Sequence, residues 1–152
     1  MNILTYNELK NKARREVNRL VKSQTDLDEQ SSIDNALNAA FTIYHLIQWR
    51  QEEKNLPKIK VHDFMKDTKN NGLKVLHDIV THQKHVIVTV KFYHGETNPH
   101  FKSDIRYMTT EEGNTMITED GSSLITEESK IEVYFGEERA VDILQDAMNE
   151  FD

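Results

Sequence analysis

The stretch NALNAAFTIYHLIQW, residues 35–49, decides the fold of this chain. Its apolar residues recur at spacings of three and four and also fill positions between, so the helix they form is apolar around most of its circumference. Such a helix is buried on several sides, and we expect it to be the central element. We predict a cap at Ser31 or Ser32 and an end at Leu56-Pro57, because proline lacks an amide hydrogen and restricts the residue before it.

Three more helices are predicted in the N-terminal part of the chain. The first begins with a capping box at Thr5, and its apolar stripe extends to about Lys22. Residues 61–69 and 73–83 have the periodicity of a third and a fourth helix. The sequence NNG at residues 70–72 lies between them, and we expect it to break the helical pattern.

The second half of the chain changes to the two-residue period of β-strands. Residues 86–93 alternate between the two faces of a half-buried strand, and acidic turns then separate several short strands. Asp120-Gly121 predicts a type I′ hairpin turn, which needs positive φ at both central residues. No internal repeat stands out. A final helix is predicted over residues 137–151. The short strands are predicted at residues 104–110, 115–119, 122–126 and 130–135.

These elements predict an α+β protein with an N-terminal four-helix segment, a small antiparallel β-meander and a C-terminal helix. The chain of 152 residues is long enough for one hydrophobic core, so we expect a single domain over residues 1–152. Within that domain, residues 1–84 form the helical core, residues 85–136 the antiparallel sheet and residues 137–152 the closing helix.

The composition excludes several classes of protein. The chain has no cysteine, which excludes a disulfide framework, a thiolate metal site and a cysteine nucleophile. No apolar run is long enough for a membrane helix, and the N-terminus lacks the apolar segment of a secretory signal. We therefore expect a cytoplasmic protein without membrane contact. Since there is no glycine-rich phosphate loop either, no cofactor and no metal is expected.

The net charge of −7 is unevenly distributed. Residues 1–85 carry 14 Lys/Arg and 11 Asp/Glu, a net of +3, whereas residues 86–152 carry 5 and 15, a net of −10. Any contact with RNA is therefore expected in the N-terminal half. One face of the first helix carries Lys12, Arg15, Arg19 and Lys22, which could follow a phosphate backbone. A solvated charged face is the alternative interpretation.

The stretch HDIVTHQKH, residues 77–85, contains three of the seven histidines. On a helix His77 and His82 lie about 140° apart, so the three imidazoles cannot converge on one metal. An acid–base site is one hypothesis, because Asp78 could orient a neighbouring imidazole while Lys84 contacts a phosphate. The alternative is a polar helix end, where cationic side chains meet the negative end of the helix dipole.

His45 is a second candidate, because it lies within the most apolar helix, one turn before Trp49. A histidine in that position is expected to be a core residue whose ring nitrogens bond to neighbouring groups. The alternative is that it is a buried partner of Asp78 or His85 on a facing helix.

The segments NAAFTIYHLIQW (residues 38–49) and LHDIVTHQKH (residues 76–85) resemble motifs of a group of bacterial and phage proteins. Those motifs have the form NAAxTAWHLxDW and LRDIANxxKH, and a turn like GEERAVDIL (residues 136–144) follows in the same order. The arrangement is similar to the HEPN superfamily of helical-bundle domains. Many of these are metal-independent ribonucleases of toxin–antitoxin and phage-defence systems, while others bind nucleotides or scaffold partners.

The resemblance implies that Asp78, Lys84 and His85 occupy the positions of the second motif. In the HEPN ribonuclease signature an arginine stands where this chain has His77. Arg50, near the end of the second helix, could replace that arginine only if the fold brings it close.

Three functional hypotheses follow. The first is a partner- or nucleic-acid-associated binding domain in a prokaryotic or phage defence-type system. The second is a metal-independent ribonuclease, with His85 or His82 as general base and Lys84 and Arg50 stabilising phosphate charge. The third is a structural homo-oligomer, because the small residues of ALNAAF, residues 36–41, allow two helices to approach closely.

Overall fold

The computed structural model describes residues 4–57, 59–84, 99–104, 106 and 108–152. It confirms the α+β class, with four N-terminal helices, a small antiparallel sheet and a C-terminal helix. The predicted strand over residues 86–93 lies outside the described residues. The elements are α1 (Tyr6–Thr25), α2 (Glu29–Glu53), α3 (Val61–Asp67), α4 (Asn71–Lys84), β1 (Pro99–Asp104), β2 (Lys130–Phe135), β3 (Glu138–Arg139) and α5 (Ala140–Asn149).

Helix α2 packs along α1 and also contacts α4, α5, β1 and β2, so its predicted central position is confirmed. Three alanines of α2 are fully buried, and their small side chains allow a neighbouring backbone to approach the helix closely. They are Ala36, Ala39 and Ala40. The capping box at Thr5 is confirmed. The cap predicted for α2 is wrong, because Asp28 and not a serine is the N-cap. Its carboxylate accepts the Ser31 N–H at 2.9 Å. None of the described helices is long and apolar enough to cross a membrane.

Helix α4 begins where the sequence predicted a break. The Asn70 side chain accepts the Leu73 N–H at 2.9 Å, as an N-cap does, and donates to the Asp146 carbonyl at 2.8 Å. The Gly72 N–H donates to the Asp146 carboxylate at 2.7 Å. The predicted break between α3 and α4 is present at residues 68–70, but α4 begins at Asn71, two residues earlier than predicted, because α5 supplies partners for its first turn.

The sheet is antiparallel in the order β1–β2–β3. Strand β2 was predicted, and its side chains Ile131, Val133 and Phe135 are buried. Strand β1 was missed, because it begins with proline and is largely polar. Residues 138–139 pair with β2 after the turn at Gly136, so α5 begins at Ala140 and not at residue 137.

The long connection between β1 and β2 forms three similar turns. We call residues 106 and 108–129 the three-turn tip. The tip contains two isolated β-bridges, Thr109 with Thr115 and Ile117 with Ser123, instead of the three regular strands that were predicted. The hairpin at Asp120-Gly121 is present, but it is not type I′, because Gly121 has positive φ (+85°) and Asp120 does not. A type I turn followed by a left-handed glycine explains this geometry.

Gly72 is expected to be required for the packing of α4 on α5. A Cβ atom at this position would lie 2.6 Å from the Ala147 nitrogen and the Ile143 carbonyl oxygen, which are backbone atoms that cannot move aside. We expect Gly72→Ala to lower the free energy of unfolding by about 2 kcal/mol, measured by chemical denaturation. The exposed neighbour Asn71→Ala is the control. Equal stability of the two variants would contradict this packing.

Candidate functional site

His77 and Asp78 form a buried pair at the contact between α2 and α4. The His77 Nδ1–H donates to the Asp78 carboxylate at 3.1 Å, and the two residues are 7% and 0% exposed. The Tyr44 ring of α2 lies 6.1 Å from the His77 ring, and burial raises the pKa of the Tyr44 phenol. For these two positions, the interpretation as a solvated polar helix end is therefore wrong.

The other residues of the HDIVTHQKH stretch are not brought into this pair in the described part of the chain. His82 is exposed on the last turn of α4, whereas Asp78, one turn earlier, is fully buried. Lys84 is the last residue of α4, and its side chain lies outside the described atoms, as does the whole of His85. An acid–base role for His82, Lys84 and His85 stays a prediction.

His45 is exposed, so its expected position in the core is wrong. Leu46 and Ile47 are directed into the core, and His45 lies on the outer face of α2, where its Nδ1–H donates to the Phe41 carbonyl at 2.7 Å. Tyr44 was not identified as a candidate site residue from the sequence, because it fits the apolar pattern of α2. Its place beside His45, at the tryptophan position of the WHL motif, was the available signal.

Arg50 holds the C-terminal residues against the helices, and we call α1–α5 together the helical body. Its guanidinium donates to the carbonyl and the carboxylate of Glu150 at 2.9 and 3.2 Å, and lies 4.9 Å from the centre of the Phe151 ring. The guanidinium also lies 6.0 Å from the centre of the Phe64 ring of α3. None of these contacts is with His77 or Asp78, so Arg50 does not replace the missing arginine of the HEPN signature in the described structure.

The basic strip of α1 is largely neutralised within the helix. Glu16 is 5% exposed and accepts the Arg19 guanidinium at 3.0 Å, with the Lys12 ammonium at 3.5 Å. Lys12 also donates to the Thr42 hydroxyl of α2 at 2.9 Å. Lys22 pairs with Asp26, so only Arg15 of the four predicted phosphate contacts remains exposed without an ion pair among the described residues. The strip therefore has less free charge than its sequence suggests.

Two adjoining grooves follow the C-terminal end of α2, and we call them together the α2 trough. The larger has a volume of about 490 Å³ and the smaller about 350 Å³, and Gln48 and Glu52 line both. Trp49 lines the larger groove. Two exposed apolar residues stand at its borders: Leu4 (36% exposed) in the larger groove and Ile59 (47%) in the smaller. No pattern in the sequence indicates this surface, because its residues come from three separate segments.

No group of three His, Asp or Glu side chains in the described part of the chain is arranged to hold a metal ion. No protein-family model, no curated protein and no solved structure matches the chain.

The structural role of Arg50 can be separated from a role in catalysis. We expect Arg50→Ala to lower the free energy of unfolding by about 2 kcal/mol, because it removes charged hydrogen bonds and the stacking on Phe151. Arg15→Ala, an exposed arginine without such contacts, is expected to change it by less than about 0.5 kcal/mol. Urea denaturation measures both values. An Arg50→Ala variant as stable as the wild type would refute the role of fastening the C-terminus.

Proposed function

We propose that this chain is a protein-binding domain that holds a segment of its partner in the α2 trough. The observation that carries the proposal is the trough itself, where exposed apolar side chains and a tryptophan border two continuous grooves. A groove with apolar lining can bury an apolar group of a partner, and tryptophan is among the residues that contribute most to binding energy at interfaces.

The lining of the trough indicates the chemistry of the bound segment. Trp49 and Leu4 offer apolar surface, and Gln48 can donate and accept hydrogen bonds. The Glu53 carboxylate is already used, because it accepts the Tyr6 N–H at 2.7 Å. A segment with an apolar anchor and a neighbouring polar group would complement Trp49, Leu4 and Gln48.

The positions of the candidate catalytic groups support binding over catalysis. His77 and Asp78 are buried against each other, and Arg50 is engaged with Glu150. The ribonuclease hypothesis now depends on His82, Lys84 and His85, and no observation on the described residues favours it. The resemblance to HEPN domains, some of which scaffold partners, adds support to the proposal. A place in a nucleic-acid-associated, phage or prokaryotic defence-type system remains a prediction from that resemblance.

The homo-oligomer hypothesis loses its physical basis. It relied on contact between copies through the small residues of α2, but Ala36, Ala39 and Ala40 are completely buried inside one chain. Those side chains are therefore not available to a second copy.

A matched pair of surface variants tests the trough. Tagged wild-type chain, expressed in its source cells, is expected to recover a partner that Ile59→Asp loses, because a charge at the border of the trough must be desolvated on binding. Val21→Asp, on an exposed position of α1 outside the trough, is the control and should retain the partner. The purified partner should then shift the fluorescence of Trp49, the only tryptophan of the chain.

Three results would count against the proposal. A strict monomer by light scattering that recovers nothing would contradict partner binding. Equal loss of the partner in the Ile59 and Val21 variants would place the contact elsewhere. Cleavage of RNA by the purified chain in the presence of a chelator, with loss in His85→Ala, would favour the ribonuclease hypothesis instead.

A further inference from the structure

A threefold sequence repeat underlies the three-turn tip. The successive octapeptides RYMTTEEG, NTMITEDG and SSLITEES start at residues 106, 114 and 122. Each has Met or Leu in its third position, Thr-Glu in the fifth and sixth, a second carboxylate in the seventh and Gly or Ser in the eighth. The earlier expectation of no internal repeat is therefore wrong, and each turn of the tip carries the same kinds of side chain.

The backbone of the three repeats closes into a ring. The Met116 N–H donates to the Met108 carbonyl at 2.8 Å, the Leu124 N–H to the Met116 carbonyl at 2.9 Å, and the Met108 N–H to the Leu124 carbonyl at 2.9 Å. The tip thus satisfies backbone groups by itself and needs no helix to cover them. A second equivalent set joins threonine N–H groups to carbonyls at 2.7–2.8 Å: Thr110 to Asn114, Thr118 to Ser122 and Thr126 to Arg106.

The tip exposes apolar side chains at equivalent positions of the repeat. Four of the eight large hydrophobic residues that are exposed in the described chain belong to it, although it is a small part of the molecule. They are Met108 (43%), Met116 (39%), Ile117 (63%) and Ile125 (38%). Successive side chains of extended backbone lie on opposite faces, so the methionines and the isoleucines form separate apolar faces of the ring. Each of these four side chains exposes more than a third of its surface in the described structure.

The charge of the tip is strongly negative. Its six carboxylates stand against one arginine, which gives a net of −5, and Arg106 is itself paired with Glu128. At Asp120 the Thr118 hydroxyl and the Ser122 N–H donate to the carboxylate and lower its pKa to about 2, so it stays ionised at neutral pH. The apolar faces are therefore bordered by fixed negative charge. The carboxylates are Glu111, Glu112, Glu119, Asp120, Glu127 and Glu128.

Neither the tip nor helix α1 of a second copy complements this surface. Two tips would repel each other, since both are acidic. Five of the six basic residues of α1 are paired already, since Lys12 and Arg19 contact Glu16 and three others contact other carboxylates, whereas Arg15 has no ion pair among the described residues. The further pairs are Lys22 with Asp26 and both Lys10 and Arg14 with Asp152.

We propose that the three-turn tip is a docking surface for a different protein, whose contact surface presents Lys or Arg side chains around apolar ones. Opposite charge guides the partner to the tip, and burial of the methionine or isoleucine face holds it there. This second surface shares no residue with the α2 trough, so each proposal can fail without the other.

A basic, partly apolar peptide tests the docking surface in the intact chain. The probe is a short peptide of alternating Lys and Leu, titrated by calorimetry. Replacing Glu111, Glu119 and Glu127 together by Gln is expected to weaken binding about tenfold, with a smaller effect at high salt. Ile117→Ser is expected to weaken it about fivefold, since it removes apolar surface. These side chains are exposed, so the variants should keep the melting temperature of the wild type.

Matched controls decide whether the contact belongs to the tip. Asp63→Asn, Asp67→Asn and Glu137→Gln together remove the same charge from exposed positions elsewhere, and Val21→Ser is the apolar control. Both controls should bind as the wild type does. The proposal is overturned if the wild type does not bind the peptide, if the controls weaken binding as much as the tip variants, or if Ile117→Ser has no effect. Self-association that the tip variants abolish would also overturn it, because a second copy would then be the occupant.

Discussion

The rest of the structure depends on the burial of α2. Its alanines and its large apolar residues Ile43, Leu46 and Ile47 are fully buried, and α1, α4, α5 and the sheet all contact the helix. A helix surrounded in this way fixes which of its remaining positions can face solvent. His45 has only the outer face left, and Tyr44 is turned toward His77 of α4. The order of side chains along α2 therefore determines where polar groups meet in the interior.

The ionisable groups of the helical body mainly stabilise the fold. Three of them, Glu16, His77 and Asp78, are buried and bond to neighbouring groups, as buried charged or polar side chains must. Arg50 also stabilises the fold, because its planar guanidinium donates to Glu150 and stacks on Phe151. Residue types that suggest catalysis in a sequence can thus be explained by the packing of helices. Side chains that do not take part in this packing remain exposed at the surface.

The helical body and the three-turn tip differ in where they place their apolar side chains. The helices hide their apolar faces against each other, whereas the tip closes its backbone bonds in a ring and leaves its apolar side chains outside. A small ring without a covered face gains little from hydrophobic burial, so its stability rests on turns, bridges and the β1–β2 pairing beneath it. Such an element can display side chains without contributing to the core. This separation lets surface residues of the tip change while the helical body keeps its fold.

The sequence by itself determined the elements whose signals are local: the capping box at Thr5, the apolar periodicity of four helices and the alternation of β2. Tertiary structure decided the features that join distant segments. Asn70 and Gly72 start α4 because Asp146 of α5 supplies their partners, and β1 exists because β2 pairs with it. The octapeptide repeat was present in the sequence, but its ring needs bonds between residues eight and sixteen positions apart. Local periodicity reports which face of an element is apolar, whereas the burial of His77 and the exposure of His45 depend on what packs against that face.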